Sequence, residues 1–113
     1  MKGEVVYIDD EPMLCRAFSA ILMQRGIAVT TFTDSVAAIA HINSHPTALV
    51  ICDYRMPRLS GLDVRAQIPD DIPFYLVSGE LDVPMREGVK VSGILTKPFR
   101  IERLVEIVES HLK

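Results

Sequence analysis

An α/β fold, built on a parallel five-stranded sheet with helices on both faces, is predicted by three features of the 113-residue sequence. Apolar runs of strand length alternate with segments of helical period. The first run reads as a strand buried on both faces, and the third is the most apolar of the five. Helix-start and turn residues stand at most of the junctions. Right-handed crossovers between successive parallel strands then make the sheet doubly wound.

Glu4-Val5-Val6-Tyr7-Ile8 reads as the first strand. Pro12 suits the first turn of the helix that follows, because the N–H it lacks would be orphaned there anyway. Leu14, Phe18, Ile21, Leu22 and Arg25 recur at helical spacing, and Gly26 supplies the stop. Ala28–Phe32 is a β-branched second strand. Asp34 or Ser35 caps the second helix, which runs through Ile39 and Ile42 and is ended by Pro46. Leu49-Val50-Ile51-Cys52 is the third and most apolar strand, Phe74–Val77 the fourth and Gly93–Thr96 the fifth.

The helix between the third and fourth strands opens on a capping box, Ser60-Gly61-Leu62-Asp63, and Pro69 and Pro73 limit it to about two turns. Between the fourth and fifth strands Pro84, Gly88 and Gly93 interrupt any helix, so a short or irregular one is expected. Ile101, Leu104, Val105, Val108 and Leu112 form one apolar stripe along the final helix, with Glu102, Glu106, Glu109 and Lys113 turned to solvent.

Composition narrows the function classes. The length fits one domain, residues 1–113, and leaves no room for an effector domain within the chain. With 49% hydrophobic and 24% charged residues the chain is an ordinary globular one. A formal charge of −3 argues against a broad nucleic-acid footprint. No apolar stretch is long enough to span a bilayer, and Met1-Lys2-Gly3-Glu4 is no signal peptide. Cys15 and Cys52 lie within apolar runs and are expected as buried reduced thiols, which points to the cytoplasm.

Ligands of doubly wound sheets sit at the carboxyl ends of the strands. Here the first strand ends in Asp9-Asp10-Glu11, the third in Asp53, the fourth in Ser78 and the fifth in Thr96-Lys97. Each alone has a plain structural reading as a cap, a turn or a surface lysine. Their coincidence at one sheet edge is the signal. Asp9, Asp10 and Asp53 against Lys97 leave net negative charge that a cation would relieve, and carboxylate oxygens suit Mg²⁺. His41, His45 and His111 lack the spacing of a zinc site. A carboxylate beside a dication is a competent nucleophile toward phosphorus, and Asp53, at the end of a central strand and opposite Lys97, is the candidate.

These segments closely resemble the receiver domains of bacterial two-component response regulators. The matches are Ile8-Asp9-Asp10-Glu11-Pro12, Asp53-Tyr54-Arg55-Met56-Pro57, Ser60-Gly61, Ser78-Gly79 and Thr96-Lys97-Pro98-Phe99, in order along essentially the whole chain. The resemblance implies a flavodoxin-like sheet of order 2-1-3-4-5 with shortened third and fourth helices. It implies Asp53 as phosphoacceptor, Asp10 as direct Mg²⁺ ligand, Asp9 acting through water, and the Arg55 backbone carbonyl as a further ligand. By the same resemblance Lys97 holds a phosphoryl oxygen, Ser78 is the hydroxyl switch and Gly79 leaves space for the incoming group, and the Lys97–Pro98 bond resembles one that is often cis in the family. Arg55 and Glu80 fall at two variable positions flanking the phosphoryl group, where the pair is expected to lengthen the phosphorylated lifetime by screening the attacking water.

The implied function is a phosphorelay receiver that takes its phosphoryl group from a sensor histidine kinase or histidine phosphotransfer protein and then changes protein contacts, without being a turnover enzyme. The downstream target is unknown and a homodimer is left open; neither direct nucleic-acid binding nor a membrane is implied. Ile94 stands where the family usually has Tyr or Phe, which leaves the switching surface in doubt. A phosphorylation-silent interaction module and a receiver excised from a larger response regulator or hybrid kinase are the alternatives. A phosphatase is a weaker reading, because Arg55 occupies the position of the second aspartate such enzymes use as general acid. A nucleotide or flavin site is unsupported, since no glycine-rich phosphate loop follows any strand.

Overall fold

In the computed structural model, which describes residues 3–79 and 83–112, five parallel strands stand in the order β2-β1-β3-β4-β5. They are β1 (Glu4–Ile8), β2 (Val29–Phe32), β3 (Thr47–Asp53), β4 (Phe74–Ser78) and β5 (Gly93–Thr96). Four helices accompany them: α1 (Pro12–Gln24), α2 (Ser35–Ser44), α3 (Gly61–Ala66) and α4 (Ile101–His111). The expected fold class and sheet order are both present.

Alternation along the strands divides the core into two layers. Val5 and Tyr7 of β1 and Leu49 and Ile51 of β3 pack with Phe18 and Leu22 of α1 and with Leu104 and Val108 of α4. Val6 and Ile8, Val50 and Cys52 point the other way, onto Ala38 and Ile42 of α2 and Leu62 and Val64 of α3. Because β1 and β3 are buried on both faces, residues 5–8 and 49–52 are hydrophobic in unbroken runs.

Local chemistry sets the helix limits as the sequence suggests. Pro12 occupies the first turn of α1, and past its end Gly26 takes a positive φ of 75°. The Asp34 side chain accepts a hydrogen bond from Val36 N at the start of α2. Ser60 and Asp63 close a reciprocal capping box on α3. That helix has only six residues. After it, the chain is turned back toward β4 by Arg65, a 3%-exposed cation whose guanidinium donates to the carbonyls of Ile72 and Pro69 and lies over the Phe74 ring.

The structure goes further than the sequence on the connection from β4 to β5. Residues 83–92 form no helix at all; they hold a turn at Glu87-Gly88 and otherwise irregular chain. Val83, Val89 and Val91 are partly buried against the α2–α3 layer. The proline and glycines there remove helix propensity, and three valines spaced for contact with a sheet replace the missing apolar stripe.

Gly61 shows how closely α3 approaches the sheet. A Cβ at this position would lie 2.5 Å from Leu76 Cδ1 and 2.7 Å from the Asp53 carbonyl oxygen. The Leu76 methyl can shift but the carbonyl, fixed in β3, cannot. Gly61→Ala is therefore expected to lower stability by about 1–3 kcal/mol, the usual range for overpacking, measured by urea unfolding with the m-value unchanged.

Candidate functional site

Parallel register brings the strand ends level. Ile8 pairs with Cys52, Asp53 with Val77, and Ser78 with Thr96. Three backbone bonds extend the ladder one step past the strands: Asp9 N to Phe32 O at 3.0 Å, Tyr54 N to Val77 O at 2.7 Å, and Lys97 N to Ser78 O at 2.7 Å. The residues just beyond each apolar run are thus gathered at one edge.

There the carboxylates of Asp9, Asp10 and Asp53 each offer an oxygen within 4.8 Å of the others. Among the described residues this is the only group of three or more His, Cys, Asp or Glu side chains so placed. Asp9 is 1% exposed and Asp53 6%, whereas Asp10 is open to solvent. Lys97 Nζ lies 3.3 Å from Asp53 Oδ1. Asp10, Glu11, Asp53, Arg55, Gly79 and Lys97 line a cleft of about 470 Å³ over the group.

The electrostatics are those of a site short of positive charge. Burial, followed by the neighbouring Asp9 carboxylate, pushes Asp53 up to about 6, against the pull of Lys97. Burial opposes the charge on Lys97, but Asp53 and Asp9 outweigh it and hold the ammonium above its usual range. An all-carboxylate oxygen set with no sulfur or imidazole matches a hard dication of the Mg²⁺ type rather than zinc. The expected metal-binding residues therefore fit the group they were assigned to.

Asp9 is held at both oxygens. Its Oδ1 accepts from Glu11 N at 3.0 Å and its Oδ2 from the Tyr7 hydroxyl at 3.0 Å. Burial and the Asp9 charge push the Tyr7 phenol far above its usual range, so it remains a donor. The Cys15 thiol, raised to about 11 by burial and by Asp9, donates to the Asp9 carbonyl at 3.4 Å. Neither Tyr7 nor Cys15 was marked by motif. The signal for Tyr7 was its position two residues before Asp9, on the same face of β1.

The remaining expected residues fall as follows. Ser78 is buried at the end of β4 and Arg55 is exposed on the cleft wall. A Cβ on Gly79 would meet nothing within 4 Å, which leaves open space beside Asp53. The Lys97–Pro98 bond is cis. Ile94 is 44% exposed and pairs with Leu76 across β4 and β5. Glu80 lies outside the described residues. Cys15 and Cys52 are buried free thiols, and among the described residues no helix is long and apolar enough to cross a membrane.

The family model described as the response regulator receiver domain matches residues 5–109. The response regulator protein TodT of Pseudomonas putida is 33% identical over 119 aligned positions, covering 99% of this chain and 52% of TodT. The transcriptional regulatory protein FixJ of Bradyrhizobium diazoefficiens is 29% identical, covering 99% of this chain and 58% of FixJ. The chain thus spans little more than half the length of these relatives. Among solved structures, FixJ-N superposes with a TM-score of 0.81 at 26% identity, covering 98% of this chain and 94% of that one. The response regulator TrrA of Thermotoga maritima, solved in complex with Mg(2+)-BeF, gives 0.81 at 24% identity, covering 97% and 99%.

The raised Asp53 predicts a pH dependence whose sign can be worked out. The folded state binds this proton more tightly than the unfolded chain does, so stability is lost as pH rises from about 4 to about 6 and the penalty is complete above that. In metal-free buffer at pH 7.5, Asp53→Asn should be more stable than wild type by roughly 1–3 kcal/mol. The difference should shrink toward zero near pH 4, as read by chemical denaturation at several pH values.

Proposed function

The chain belongs to the response regulator receiver domain family, and from that premise we propose that it is a phosphorelay receiver whose Asp53 accepts a phosphoryl group from a phosphohistidine donor in a Mg²⁺-dependent reaction. The observation that carries this reading is the grouping of Asp9, Asp10 and Asp53 within 4.8 Å, with Lys97 on Asp53. The TrrA complex with Mg(2+)-BeF is a structural neighbour and lends the metal further support.

On this reading a carboxylate oxygen of Asp53 attacks phosphorus, the P–N bond of the phosphohistidine breaks, and its imidazole leaves. Asp10 and Asp53, joined by the Arg55 carbonyl, would hold the Mg²⁺, with Asp9 reaching it through water. The bound ion neutralises charge on the carboxylates and on the transferring group. Lys97 releases Asp53 Oδ1 to hold a phosphoryl oxygen. Ser78 supplies a hydroxyl to another, and the open space at Gly79 admits the group. The activity is one phosphorylation event and its reversal, and the output is a change of protein contact. The donor is a sensor histidine kinase or phosphotransfer protein, and the compartment is the cytoplasm. Arg55, exposed on the cleft wall, would screen the acyl phosphate from water together with Glu80.

Incubation with Mg²⁺ and a small phosphodonor such as acetyl phosphate should add one phosphoryl mass to wild type and none to Asp53→Asn. Omission of Mg²⁺ should abolish the product, and Lys97→Ala should slow its formation at least tenfold. Intact mass spectrometry reads all three, and a wild-type chain that stays unmodified at saturating donor would refute the reading. Arg55→Ala should shorten the half-life of the phosphorylated form by about two- to fivefold, an effect of roughly 0.4–1 kcal/mol, measured by decay of the modified mass after donor removal.

A further inference from the structure

Asp9 has little freedom left to serve a cation directly. It is 1% exposed, and both of its oxygens already accept hydrogen bonds from inside the protein. One donor is the backbone of Glu11, set by the turn into α1. The other is a side chain, Tyr7, whose ring is pinned at 4.6 Å from Phe18 in the α1–α4 layer. Tyr7 and Asp9 share a face of the chain by their spacing, which brings the hydroxyl to Asp9 Oδ2 at 3.0 Å. A buried aromatic side chain packed in the core thus reaches one member of the acidic group.

We propose that Tyr7 is a positioning residue whose hydroxyl clamps Asp9 in the outer shell of the dication site and so biases that site toward Mg²⁺ over Ca²⁺. The proposal rests on the metal-binding reading above. Mg²⁺ dehydrates reluctantly, accepts six ligands at short distance and keeps several waters, whereas Ca²⁺ takes six to eight oxygens in flexible geometry. A site with two inner carboxylates and water in other positions suits the smaller ion. A third carboxylate free to turn inward would add negative charge and an extra oxygen, and the larger ion gains more from both.

Tyr7→Phe removes the hydroxyl and keeps the ring. Calorimetric titration with Mg²⁺ and with Ca²⁺ is the test, on wild type, Tyr7→Phe, Asp9→Asn and the double variant, each checked for native circular dichroism. In Tyr7→Phe the Ca²⁺ Kd should fall by about tenfold and the Mg²⁺ Kd by no more than about threefold, the scale expected for loss of one charge-assisted hydrogen bond. The selectivity shift should vanish in the Asp9→Asn background. An unchanged ratio, equal loss of both affinities, or a shift that persists without the Asp9 carboxylate would overturn the proposal. Wild-type protein with no Mg²⁺ affinity would remove the functional reading itself, whereas Mg²⁺ binding with an unaltered ratio in Tyr7→Phe would remove only this inference.

Discussion

Carboxylates repel one another, and this chain spends part of its folding free energy holding three of them together. The force that does so is the parallel register of the central strands, which fixes the ends of β1, β3, β4 and β5 at one level. The register in turn follows from burial on both faces: slipping a strand by one residue would exchange the contents of two apolar layers. Val6 and Ile8 would then meet the helices that Val5 and Tyr7 were shaped to fill. The core thereby dictates where the acids lie, and they must accept the repulsion that results.

Three devices moderate that repulsion. Lys97, held at the end of β5 by its own backbone bond to Ser78, leans onto Asp53. Asp10 keeps its carboxylate in water, where a charge costs least. Asp9, the most deeply placed, takes one hydrogen bond at each oxygen. Asp53 keeps a proton affinity raised by burial and by Asp9, against the pull of Lys97. A cation in the cleft would lower that affinity by adding positive charge beside the carboxylate.

The sheet order followed from the family resemblance, whereas the position of each strand, the caps on α2 and α3 and the membership of the acidic group were legible from the residues themselves. They depend on local patterns: apolar runs, Asp34, the Ser60–Asp63 pair, and acids that directly follow strands. What was not legible depends on distance between residues far apart in sequence. The need for Gly61 arises from the Asp53 carbonyl beneath it, and the turn after α3 from Arg65 reaching carbonyls beyond its own helix. The contact of Tyr7 with Asp9 was readable in spacing, yet a tyrosine in an apolar run looks like core, which its ring is. The loss of helix between β4 and β5 was foreshadowed by Pro84 and Gly88, but its completeness across residues 83–92 was not.

That missing helix has a consequence for how the molecule breathes. Among the described residues, chain 83–92 is tied to the sheet by Ser92, whose N–H donates to Phe74 O and whose hydroxyl accepts from Phe74 N, to α3 by the exposed Arg86–Asp63 pair, and to the apolar layer by three half-covered valines. Segments of this kind open at a small fraction of the global unfolding free energy. The margin of the sheet at β5 can fray while β1 and β3 keep their amides shut, so solvent exchange would proceed from one side inward. Lys97 follows β5 at that margin and Asp53 ends the central β3, so their ion pair joins the edge of the sheet to its protected centre.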